Sequence, residues 1–152
     1  MKKKFIVGIV SLLHIVLFVY AALAKLTDYY NFQFGLSESP LIAPFAPVLA
    51  WAVPSVELGI ALLLALPFFR LTGLYASFVL MSLFTLYIAS MLGFGEDIPC
   101  SCGGIIGELS WGMHIVFNSV FVVLSGIAIW IERKRRRELL QKVLSVSMVA
   151  RE

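Results

Sequence analysis

Four long apolar runs, at positions 5–23, 46–69, 71–92 and 111–131, take up most of this chain of 152 residues. Each is close to the ~20 residues that an α-helix needs to cross ~30 Å of hydrocarbon. A soluble domain of this length has no interior able to take 61% hydrophobic residues against 14% charged, at a mean hydropathy of +0.96. In lipid every backbone N–H and C=O must be satisfied within the protein, which leaves a helical bundle as the spanning form. The expected fold is therefore all-α: a polytopic membrane protein with a four-transmembrane-helix bundle. One membrane domain covers 1–131, and a basic tail covers 132–152. No internal repeat and no low-complexity tract interrupts this plan.

The basic residues orient the bundle. If all four runs cross, 11 of the 12 Lys and Arg residues fall on one side: Lys2, Lys3, Lys4, Arg70, Arg133, Lys134, Arg135, Arg136, Arg137, Lys142 and Arg151. Lys25 is the exception. The positive-inside rule then places both termini in the cytoplasm and the 25–45 and 93–110 loops outside, as in a multi-pass protein of the inner (cytoplasmic) membrane. Lys2–Lys4 followed by an apolar stretch and Ala22-Leu23-Ala24 also resembles a cleavable signal peptide. The run exceeds the roughly 7–15 residues of a signal h-region, which favours a retained helix. Cleavage would leave the facing of the other spans unchanged.

The 93–110 loop contains Cys100-Ser101-Cys102-Gly103-Gly104, with both of the chain's 2 cysteines. An extracytoplasmic position favours disulfide chemistry over a metal site. Zinc usually takes four ligands, and this face offers two thiols, His114 and loop carboxylates. No metal is expected. A Cys-X-Cys ring strains the preferred disulfide geometry and makes the bond more reducible. Gly103 and Gly104 allow unusual backbone angles and close approach of a partner. The competing reading is a structural loop with inert cysteines.

Several polar residues fall inside the apolar runs. Glu57 lies about three turns into the second span, where a carboxylate is costly and faces the bundle interior. Lys25 ends the first span, and helical side chains lean toward the N-terminus, so Lys25 points back toward the level of Glu57. An ion pair pinning spans one and two is the leading expectation; a proton site, a quinone contact or a carboxyl held neutral are the alternatives. His114 and Asn118 are four apart and share one face of span four. His114 either supports a thiolate in the loop above it or, together with Asn118, makes a polar contact to a neighbouring helix. His14, near Ser11, reads as a packed interior residue. Pro54 sits just before Glu57 and is expected to kink the helix.

Cys100-Ser101-Cys102-Gly103-Gly104, Leu109-Ser110-Trp111, His114 and Asn118 resemble the loop and last helix of the MauE family, within the wider DoxX-like set of redox-associated membrane proteins. Ala24-Lys25-Leu26, Tyr30, Phe32 and Pro54-Ser55-Val56-Glu57-Leu58-Gly59 resemble its first half. The family is associated with maturation of the disulfide-rich small subunit of methylamine dehydrogenase. The resemblance implies a role in periplasmic thiol–disulfide traffic.

Three function classes follow. The first is a thiol oxidoreductase or its electron-transfer partner, cycling Cys100 and Cys102 with an extracytoplasmic thioredoxin-like or disulfide-containing client. No bound cofactor is expected, and a quinone dissolved in the membrane is the natural electron acceptor. The second is a non-catalytic assembly factor or complex subunit. The third, a small transporter with Glu57 as a proton-coupled site, lacks a repeat or a broken-helix pair to support it. Membrane lipid is a partner in every case, and the basic 132–142 segment reads as a helical stop-transfer signal drawn to anionic lipid. No basic fold follows that would bind nucleic acid.

Overall fold

A computed structural model describes residues 2–39, 42–94 and 111–149. It contains α1 (Lys2–Thr27), α2 (Tyr29–Ser37), a 3-10 turn (Ala43–Phe45), α3 (Ala46–Ala65), α4 (Arg70–Phe94) and α5 (Trp111–Val149), with no strand among the described residues. Four of these helices are long and apolar enough to cross a membrane. α2, at 9 residues, reaches only about 13 Å and cannot. The chain is an all-α, multi-pass membrane protein in contact with lipid.

The spanning helices form a ring in chain order. α3 packs on α1, α4 on α3 and α5 on α4, while α1 closes the ring against α5. Side-chain bonds identify the two ends. At one end Lys3 reaches Glu138 (2.8 Å) and Arg136 reaches the Phe68 carbonyl (3.4 Å). At the other, Tyr87 donates to Ser39 Oγ (2.8 Å) and the Tyr29 ring lies 5.2 Å from that of Trp51. The α4–α5 connection, which carries the cysteines, leaves from this second end.

Polarity is distributed inside out, as a lipid solvent requires. Phe5, Val48, Trp51, Phe68, Leu86, Val123 and Trp130 are exposed, whereas Ser11, His14, Glu57, Ser77, Asn118, Ser125 and Glu132 are buried. The buried hydroxyls are satisfied within their own helices: Ser11 donates to Val7 O (2.8 Å), Ser77 to Gly73 O (2.8 Å) and Ser125 to Val122 O (2.9 Å). Between these polar positions Val7, Val10, Phe18, Ile60, Leu64, Leu74, Met81 and Ala128 form the apolar core.

Several helix ends depart from the sequence reading. The second span ends at Ala65, short of position 69, because Leu66 precedes Pro67 and takes an extended conformation (φ −85°, ψ 115°). The chain then turns so tightly that Gly73, one turn into α4, meets α3: a Cβ there would lie 2.9 Å from the Leu64 backbone nitrogen. The 25–45 loop, in turn, is largely helical. α2 buries Phe32 and Gly35 and lies against α3, so Phe32 faces the bundle while Tyr30 and Phe34 stay exposed. Pro54 sits inside α3, which is continuous from Ala46 to Ala65. α5 runs unbroken for 39 residues, roughly 58 Å, carrying the basic tail as an extension of the fourth span.

Candidate functional site

Lys25 is in the last turn of α1 and Glu57 lies in the middle of α3. Their side chains meet, with Lys25 Nζ 2.8 Å from Glu57 Oε1 and both side chains almost fully buried (7% and 1% exposed). This is the ion pair expected from the lean of Lys25 along its helix. The ammonium also donates to the Ala21 carbonyl at 3.3 Å and lies 5.8 Å from the centre of the Phe32 ring, near the limit of a cation–π contact. Phe32 is buried, so α2 helps to keep water from the pair. Glu57 Oε2 has no hydrogen-bond partner among the described residues.

The pair borders a cavity of about 440 Å³, within the ~300–1,000 Å³ range of small-molecule sites. All four spanning helices and α2 contribute to its wall. His114 and Asn118, on one face of α5, line it together with Lys25, Glu57 and Tyr87. The remaining wall is apolar, including Leu17, Phe18, Val53, Met81, Phe84 and Phe117. The structure therefore brings four of the expected site residues, Lys25, Glu57, His114 and Asn118, around one volume. Cys100, Cys102, Gly103 and Gly104 lie outside the described residues. Among the described residues no group of three or more His, Cys, Asp or Glu side chains is gathered to hold a metal ion.

His14 takes no part in this cavity. It is fully buried, its Nδ1 lies 2.9 Å from the Val10 carbonyl, and its ring stands edge-on to Phe121 at 5.0 Å. A carbonyl can only accept, so Nδ1 carries the proton. His14 is a packed interior residue joining α1 to α5.

Sequence reasoning missed Tyr87, whose hydroxyl ties α4 to Ser39. The signal available was a hydroxyl-bearing ring within an apolar run. It also missed a second polar cluster at the opposite end. There Glu132, 1% exposed, accepts from Arg135 Nε at 2.9 Å and from Arg136 Nε at 3.3 Å. The i,i+3 and i,i+4 spacing of Glu132 to these arginines was the readable signal.

The family model described as Methylamine utilisation protein MauE matches residues 3–131. The chain belongs to the MauE family. Every described residue that lines the cavity falls inside the MauE match, which ends immediately before Glu132. No curated protein and no solved structure shows significant similarity to the chain.

Proposed function

We propose that this MauE-family chain supports thiol–disulfide exchange on the extracytoplasmic side of the inner membrane, using Cys100 and Cys102 on a secreted client. One observation carries the reading. The polar residues Lys25, Glu57, Tyr87, His114 and Asn118 converge on a cavity in the half of the bundle from which the cysteine-bearing connection leaves. Family membership supports it through the resemblance to proteins of disulfide maturation. The name of the family model points to methylamine utilisation. A disulfide-rich enzyme of that process is one candidate client, and a thioredoxin-like protein is another.

In this reading a Cys100 or Cys102 thiolate attacks a client disulfide, or a client thiolate attacks the Cys100–Cys102 bond. Either route passes through a mixed disulfide, resolved in the first by the chain's second cysteine and in the second by the client's second thiol. His114, the fourth residue of α5 and in the cavity wall, favours the thiolate.

Alkylation-shift electrophoresis on cells tests the proposal. The wild type is expected to show both dithiol and disulfide forms, and Cys100→Ser or Cys102→Ser to accumulate a mixed disulfide with an extracytoplasmic protein. His114→Ala is expected to slow exchange with the fold intact. A pair fixed in one state, with no trapped partner in either serine variant, would leave the loop structural and the chain a non-catalytic assembly factor.

A further inference from the structure

We propose that the cavity bounded by Lys25, Glu57, His114 and Asn118 is a binding site for the head group of a membrane quinone. The assignment deepens the thiol-exchange reading and rests on it for its chemistry, although not for its test. Three observations support it. The volume, about 440 Å³, suits a small ring with the first part of an apolar tail. Its wall is apolar except for a few polar side chains, the pattern of a site that orients one amphipathic ligand. Finally, a buried carboxylate oxygen, Glu57 Oε2, has no partner among the described residues.

The polar groups match the ligand. A quinone carbonyl needs a hydrogen-bond donor. The Lys25 ammonium has three N–H donors, of which Glu57 Oε1 and the Ala21 carbonyl take two. A quinol hydroxyl needs an acceptor, which Glu57 Oε2 supplies. A phospholipid acyl chain would use neither group.

The redox step balances. Two thiols become one S–S bond, losing two electrons and two protons, and the quinone takes up two electrons and two protons to become the quinol. Glu57, beside Lys25 and with one oxygen unused, is the group placed to accept the protons that the thiols release and pass them to the quinone oxygen. The segment carrying the cysteines is joined to α4 seven residues after Tyr87 and to α5 three residues before His114. Both of those residues line the cavity, so the acceptor site lies between the two anchors of the thiol loop.

Binding of ubiquinone-1 to the full chain in nanodiscs of defined phospholipid, by equilibrium dialysis and by the shift in thermal unfolding, tests the site. The Cys100→Ser/Cys102→Ser double variant separates it from thiol chemistry. Saturable binding at one per chain is expected for both wild type and double variant. Val53→Trp, which fills the cavity one turn before Glu57, should abolish binding. Glu57→Gln and Asn118→Leu should each weaken it about tenfold, the scale of a lost hydrogen bond to a charged or well-placed polar group. Val56→Trp, on the exposed face of the same helix, should leave it unchanged.

If Glu57→Gln does not fold, Val53→Trp and Asn118→Leu decide the matter. Undiminished binding in Val53→Trp, no saturable binding to the wild type, or equal displacement by farnesol, which has a tail but no quinone ring, would overturn the assignment. Cysteines that cycle in a protein that binds no quinone would overturn the site and spare the thiol reading. Quinone binding beside cysteines that never cycle would do the reverse.

Discussion

Replacing Lys25 or Glu57 alone leaves one charge within the bundle with its partner gone, and breaking a buried ion pair this way costs about 3–5 kcal/mol. Each of Lys25→Met and Glu57→Leu is therefore expected to reduce the folded fraction sharply. The double replacement should recover much of the loss, because an apolar pair strands no charge. A double-mutant cycle on thermal stability in detergent checks this, and additive losses would rule out direct coupling across the 2.8 Å contact. The pair was legible in the sequence because two charges stood out against hydrocarbon, and helix geometry fixed the direction in which Lys25 leans. The cavity was not legible. It is a volume left between side chains of five helices, and no single run of sequence encodes it. His114 and Asn118 could be assigned to one face of α5, but not to the same cavity as Glu57.

At the scale of elements, the bilayer thickness made the spans readable, since a hydrophobic run of fixed minimum length has few alternatives. Their ends depended on local backbone rules: Pro67 acting on Leu66 stopped α3 before its apolar run was exhausted. α2 was hidden because a nine-residue helix is below any membrane threshold and its aromatic residues read equally well as an interfacial loop. The α3–α4 turn gives a direct test. Gly73→Ala would place a Cβ 2.9 Å from backbone that cannot rotate away, so the two helices must separate. A loss of about 1–3 kcal/mol is expected, the usual cost of overpacking. Gly59→Ala, on the same hairpin with open space around its Cα, is the control and should be neutral or slightly stabilising. Equal thermal midpoints for the two variants would show that the contact is not tight.

For the whole molecule, the distribution of basic residues predicts the facing of both ends. A membrane-impermeant maleimide is expected to label reduced Cys100 and Cys102 in intact spheroplasts; labelling only after lysis, with the thiols reactive once denatured, would invert the topology. The buried ion pair also bears on how the bundle enters the membrane. An acidic residue near the centre of a helix raises the cost of its transfer from the translocon by about 2.5–3.5 kcal/mol, and α3 carries that burden in Glu57. Lys25 is already synthesised, at the end of the preceding span, when Glu57 emerges from the ribosome. If α1 waits beside the translocon, the carboxylate can enter lipid already neutralised, and the first two spans are released as one hairpin. A contact formed by two side chains then acts first as a step in biogenesis, before it holds any part of the finished site.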